Sequence, residues 1–371
     1  MSVTIASPHT SLVGRLEERL NLLSATLFNH TQKCNFEPRP LGPRFFMRNF
    51  TDITDQNFEE AALEMFRYQY ANNQVYGQFC DLINRRPKAV KALKNIPFLP
   101  VELFKKHRVV TGAFTPESVF TSSTTSGGTP SNHWVKELAH YEQVYVEGFE
   151  REFGPLEDWT VLALLPSYLE RSGSSLVVMA EGMIQRSEKK ESGFYLYNHE
   201  ALEKALTTLQ KQQRPTLLLG VTFGLLDFAE TISAIDFPQL RVMETGGMKG
   251  RRKELVRDQV HAQLKAKFPS SPIDSEYGMT ELLSQAYLKN SGHFASPPWM
   301  RVYTRDISDP LGVPVRNGSR GALQIIDLAN QNSCCFLAIS DQGRVFENGT
   351  FEVYGRLDKS EIRGCNLMVS L

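Results

Sequence analysis

The sequence predicts an α/β protein: a mainly parallel strand–helix layer in mid-chain, followed by a more antiparallel β part. Two observations carry this. Between residues 138 and 268, apolar stripes at helical spacing alternate with short buried-strand runs. From residue 300 onward that spacing stops, and short apolar segments lie between Gly, Asp and Asn turns. Strands alternating with helices argue for parallel pairing, because a parallel crossover needs a connection long enough to be a helix.

The elements follow in order. Leu12, Leu16, Leu20, Leu23 and Leu27 fall on one helical face. Phe58, Ala62, Met65 and Phe66 repeat the stripe, with Thr54 or Asp55 as the N-cap. Residues 86–100 carry Pro87, Pro97 and Pro100 and read as linker and short turns. A helix with Leu138, Tyr141, Tyr145 and Phe149 is stopped by Gly154-Pro155. Then come a strand over 160–165, a helix with Leu202, Ala205, Leu206 and Leu209, and a strand over 216–220. A helix from about Phe223, a strand over 240–244 and a helix with Val256, Val260, Leu264 and Phe268 complete the layer. The late strands are expected at 300–303, 322–326, 335–339 and 351–354, with Asn348-Gly349 as a two-residue hairpin turn.

Bulk composition removes several function classes. The 371 residues carry 41 Lys+Arg against 41 Asp+Glu, so the formal net charge is zero and there is no basic excess to hold nucleic acid. The five cysteines are odd in number and lack a C-x-x-C pair, which fits neither a disulfide framework nor a zinc site. No leader and no membrane span is apparent, so a cytoplasmic enzyme is expected.

Four segments carry chemistry. Phe120 to Ser131 is rich in hydroxyls, with Thr124, Thr125, Ser126, Gly127, Gly128 and Thr129 at its centre. Such a loop can wrap phosphates, since glycine lets backbone N–H groups approach and hydroxyls donate. It lacks the Gly-Lys-Ser/Thr of a Walker loop, and the same composition also makes a polar linker. Glu244-Thr245-Gly246-Gly247-Met248 follows a strand, where a flat ligand can approach the backbone; an ordinary strand–helix turn reads the same way. Asp274-Ser275-Glu276-Tyr277-Gly278-Met279-Thr280-Glu281 offers a ring for a base, a hydroxyl for phosphate and a carboxylate for Mg²⁺, and alone reads as a helix start capped by Thr280 or Ser275. Asp341 suits a ribose diol, and Gly355-Arg356-Leu357-Asp358 leads to Arg363-Gly364-Cys365. His133, beside the loop, reads as orienting a phosphate or carboxylate, or as solvated.

In this order and spacing, the set resembles the adenylate-forming superfamily of acyl-CoA synthetases, peptide-synthetase adenylation domains and firefly luciferase, from about residue 100 onward. Within it, the segment from Leu165 to Leu176 and the ending at Cys365 resemble the acyl-protein synthetase (LuxE) family. The resemblance implies the fold of that superfamily's large N-terminal domain, with the C-terminal domain essentially absent. It divides the chain into a helical part at 1–100, an adenylate-forming core at 101–354 and a hinge-like stub at 355–371.

It also implies roles. ATP would be held by residues 124–129, Gly246, Gly247, Met248, Tyr277, Gly278, Met279, Asp341 and Arg356. Thr280 and Glu281 would serve catalysis, with Mg²⁺ on Glu281. Tyr168, Val221, Phe223 and Gly224 would line the acyl pocket. Cys365 would take the acyl group from acyl-AMP and pass it to a reductase partner. Arg356, Lys359 and Arg363 lie close to it in sequence, and positive charge favours the thiolate. Two departures stand out: Ser131 occupies the place of the superfamily's loop lysine, and the chain stops seven residues after Gly364. An acyl- or aryl-CoA ligase similar to phenylacetate–CoA ligase, and a non-catalytic adenylate- or acyl-binding module, are the competing readings.

Overall fold

The computed structural model describes residues 48–123, 129–165, 173–246, 255–290, 292–307, 309, 311–316 and 318–356. The 12–27 leucine stripe, Cys34, Thr124, Thr125, Ser126, Gly127, Gly128, Tyr168, Gly247, Met248 and Cys365 lie outside the described residues.

Two helices open the described chain, α1 (Phe58–Asn72) and α2 (Gln74–Leu82). Helix α1 buries Phe58, Ala62, Met65 and Phe66, the predicted stripe. Its N-cap position is Asn57 rather than Thr54 or Asp55. The Asn57 Oδ1 accepts the Thr54 N–H at 2.8 Å, so those residues form a turn before the helix. Strand β1 (Leu99–Pro100) follows, then the antiparallel hairpin β2 (Ser118–Thr121) and β3 (Asn132–Val135).

The α/β layer runs α3 (Leu138–Phe153), β4 (Thr160–Leu164), α4 (Ser175–Ser187), β5 (Gly193–Phe194), α5 (His199–Gln212), β6 (Thr216–Val221), α6 (Thr222–Thr231), β7 (Leu240–Thr245), α7 (Arg257–Lys267), β8 (Ile273–Tyr277) and β9 (Ala286–Leu288). Gly154, at φ 83°, ends α3 in a conformation that a side chain disfavours. The strands stand in the order β5-β4-β6-β7-β8-β9. All neighbours are parallel except β8 and β9. Strands β4 and β6 are buried at every position, which explains why they read as unbroken apolar runs: helices cover both faces. Val256 departs from its predicted stripe. It precedes α7 and is 66% exposed, while Val260 and Leu264 face the core.

The late strands are β10 (Met300–Arg305), β11 (Arg320–Asp327), β12 (Phe336–Val345) and β13 (Phe351–Arg356). They pair antiparallel, and β1 joins β12 in parallel. The β12–β13 connection is longer than the predicted two-residue turn: Val345 pairs with Phe351, and the Gly349 N–H reaches the Phe346 carbonyl at 2.9 Å.

The helix start expected after Tyr277 is absent. The chain turns and returns as β9. The physical reason is competition for backbone groups. The Leu283 and Ser284 N–H groups both donate to Asp327 Oδ2 at 3.0 Å, so they are not available to helical carbonyls.

Candidate active site

The carboxyl ends of β7 and β8 lie side by side, with Glu244 opposite Ser275 and Thr245 opposite Glu276. Ligands of open α/β sheets enter at such ends. Glu244 is buried but well served. Thr222 and Ser275 hydroxyls donate to its two oxygens at 2.6 Å each, with Arg257 at 3.6 Å and His261 at 3.8 Å. Burial pushes its pKa up, but the His261, Ser275 and Thr222 hydrogen bonds and the Arg257 charge outweigh this and hold it below the usual value. Glu244 therefore stays charged. Beyond it, Gly246 takes φ 73°, which lets the backbone turn out of the strand.

Glu276 is the opposite case. Burial raises its pKa to about 7, the Thr245 hydroxyl opposes this, and the charge on Glu244 adds to it. The folded chain thus holds a proton that the unfolded chain has lost above its ordinary value of 4.5. Between those two values stability falls as pH rises; below and above them the slope vanishes. Glu276→Gln, which cannot ionise, is expected to be more stable than the parent at pH 8 by about 2–3 kcal/mol and to lose that advantage near pH 5. Urea melts of both chains at the two pH values check this; an equal difference at both would contradict it.

Tyr277 links the two sheets. Its hydroxyl donates to Asp341 Oδ2 on β12 at 2.7 Å, and its ring lies against Phe294 and Phe351. Burial is the main cause raising the Asp341 pKa, opposed by the Tyr277 bond and Arg356. Arg356 is the register partner of Asp341, with Nε 3.6 Å from Oδ1 and its side chain largely exposed.

The turn after Tyr277 brings Gly278, Met279, Thr280 and Glu281 to the same edge. A Cβ at the exposed Gly278 would sit 2.5 Å from Glu276 Oε1, so a side chain there would require that carboxylate to move. Thr280 is half-buried and Glu281 is 5% exposed. Burial raises the Glu281 pKa, and a hydrogen bond from Ser131 opposes it. Thr129 is exposed at the end of the hydroxyl-rich loop. Val221, Phe223 and Gly224 sit at the β6–α6 junction and are buried.

His133 is not a solvated loop residue. It lies on β3, 1% exposed, with both ring nitrogens engaged by Thr280 and Asn330. Glu276, Arg257, His261 and Asn330 were not singled out by motif. Glu276 directly precedes Tyr277-Gly278, but nothing local marks its burial.

Residues 48–143 match the family model of LuxE, the acyl-protein synthetases. The long-chain-fatty-acid–luciferin-component ligase of Vibrio harveyi is 24% identical over 333 residues, covering 82% of this chain and 85% of that protein. Among solved structures, ATP-bound MatB from Rhodopseudomonas palustris aligns with TM-score 0.48 and 13% identity, over 64% of this chain and 47% of its own. O-succinylbenzoate coenzyme A synthetase (MenE) from Bacillus subtilis, with AMP, aligns with TM-score 0.44 and 15% identity, over 64% and 49%. The chain spans about half the length of those two structures. The chain is thus similar to LuxE, the acyl-protein synthetases, over residues 48–143, and to the Vibrio harveyi ligase over 82% of its length.

Proposed function

We propose that this chain is an ATP-dependent acid–thiol ligase, which joins a fatty acid to AMP and then transfers the acyl group to Cys365. The observation that carries this reading is the 2.7 Å Tyr277–Asp341 pair. It unites two motifs 64 residues apart at the carboxyl edge of the parallel sheet, next to Thr280 and Glu281. An aromatic ring for a base, a carboxylate for a ribose and polar groups for phosphate then share one edge. The name of the Vibrio harveyi relative supports a long-chain fatty acid, and the LuxE match supports a protein acceptor.

In this reading the substrate carboxylate attacks the α-phosphorus, the new P–O bond forms and pyrophosphate leaves. Thr280, Thr129 and the loop at 124–129 hold phosphate oxygens; Gly246 with Gly247 and Met248 borders the base. Val221, Phe223, Gly224 and Tyr168 border the acyl chain. Glu281 fits a Mg²⁺ ion brought by the nucleotide, since its buried carboxylate has its pKa raised and a divalent cation would offset that burial. When bound, such an ion neutralises charge on the phosphates. The Cys365 thiolate then attacks the acyl carbonyl, a C–S bond forms and AMP leaves. A thioester is an activated acyl donor, and a reductase partner would consume it. Residues 101–354 form the activating core in this scheme, and 355–371 carry the thiol.

Intact-protein mass spectrometry with ATP, Mg²⁺ and fatty or aryl acids tests the proposal. The expected result is a hydroxylamine-sensitive gain of one acyl group, together with acid-dependent ATP–pyrophosphate exchange. AMP release that requires coenzyme A, without an adduct, would replace it with a CoA ligase. No ATP turnover with any acid would leave a binding module.

A further inference from the structure

We infer that His133 is a positioning residue that ties strand β3 to the Thr280-Glu281 turn and holds the backbone of that turn in place. This rests on the nucleotide reading of that site. The β2–β3 hairpin carries His133, and Ser122 and Ser131 are joined across it by two hydrogen bonds. The Ser131 N–H donates to Ser122 Oγ at 2.8 Å, and the Ser122 N–H donates to the Ser131 carbonyl at 3.1 Å. Two residues beyond Ser131, His133 Nδ1 lies 2.7 Å from the Thr280 carbonyl oxygen. The next carbonyl, that of Glu281, accepts from Asn330 Nδ2 at 2.8 Å, which also donates to the Cys334 carbonyl at 3.1 Å. Asn330 Oδ1 is in turn 3.2 Å from His133 Nε2. Two successive carbonyls are therefore pinned, one by the hairpin and one by the β11–β12 turn. That fixes the backbone from which the Thr280 hydroxyl and Glu281 carboxylate project.

The protonation follows from the neighbours. Both nitrogens face acceptors, the Thr280 carbonyl and Asn330 Oδ1. Burial pushes the imidazole pKa down to about 4, so the ring is neutral at pH 7 and carries one proton. The shorter contact takes it, as Nδ1–H to the Thr280 carbonyl. Phe104 and Phe120 present T-shaped contacts at 6.1 and 6.3 Å that fix the ring. A neutral ring whose single proton serves the Thr280 carbonyl supplies no charge to a phosphate. What it contributes is the placement of the Thr280-Glu281 turn, from which the groups proposed to meet the nucleotide project.

The test compares three substitutions by ATP–pyrophosphate exchange in the full chain, alongside thermal melts. Asn places an amide donor where Nδ1 stood, Gln moves it to the Nε2 side, and Leu removes it. His133→Asn is expected to keep the KM for ATP within about threefold. His133→Gln and His133→Leu are expected to raise it about tenfold, as for one buried carbonyl left without its donor, with the KM for the acid unchanged. If Leu does not fold, the Asn–Gln contrast decides. A lower melting temperature with an unchanged KM for ATP in all variants would overturn the inference alone. No exchange by the parent chain with any acid would overturn the nucleotide reading, and the inference with it.

Discussion

Cys365→Ala is expected to abolish the acyl-protein adduct while leaving ATP–pyrophosphate exchange intact. Activation needs only the carboxylate and ATP; transfer needs a sulfur nucleophile. Removing a nucleophile costs roughly 10⁴- to 10⁶-fold. Reach permits the assignment. Cys365 lies nine positions beyond Arg356, a span of at most about 32 Å when fully extended. Arg356 itself sits beside Asp341, so the nucleotide edge lies within that radius. The tether makes the attack intramolecular, which raises the effective concentration of the thiol. The described cysteines are poor substitutes. Cys80, Cys334 and Cys335 are fully buried, and burial pushes the Cys334 thiol up to about 12 and the Cys335 thiol well above its ordinary value. An adduct that survives in Cys365→Ala, or exchange that disappears with it, would contradict the assignment.

Glu281→Gln is expected to lower acid-dependent exchange about 10²- to 10³-fold at fixed Mg²⁺, the size of effect seen when a charge-stabilising group is lost from a reacting centre. The amide keeps the shape and still accepts the hydrogen bond from Ser131. It also removes a carboxylate that burial makes costly to ionise. Because the folded pKa of Glu281 is raised, its ionisation weakens the fold as pH rises, so the variant should be as stable as the parent at pH 8 or more so. Activity lost without stability lost is the signature of a functional carboxylate. Exchange kinetics over a Mg²⁺ series, with melts on the same samples, read both; a parallel fall in activity and melting temperature would assign Glu281 to the fold alone.

Local pattern made much of this protein legible from sequence. The stripe Tyr141, Tyr145 and Phe149 marks α3, Leu202, Leu206 and Leu209 mark α5, and the all-apolar runs mark β4 and β6. These are repeats of 3.6 residues or unbroken burial, and each can be read within one window. Motif order also placed Tyr277, Thr280, Glu281 and Asp341 in one candidate site before any contact was known. Signals that depend on competition were misread. Thr280 suggested a helix cap, yet Asp327, some 45 residues downstream, takes the N–H groups that a helix would need.

The sequence by itself determined the alternation of strands and helices and the antiparallel ending, because each is encoded in spacing along the chain. Only the tertiary structure decided how the chemistry-bearing motifs touch. It set Tyr277 on Asp341, gave Glu276 its proton while leaving Glu244 charged, and drove His133 between Thr280 and Asn330. Two glutamates on neighbouring strands look alike in sequence. Their difference comes from the donors that other elements bring: Thr222, Ser275, Arg257 and His261 surround one, while Thr245 is the hydroxyl that meets the other. Proton affinity in a buried site depends on the balance of desolvation and hydrogen bonding, and that balance exists only once the chain has folded.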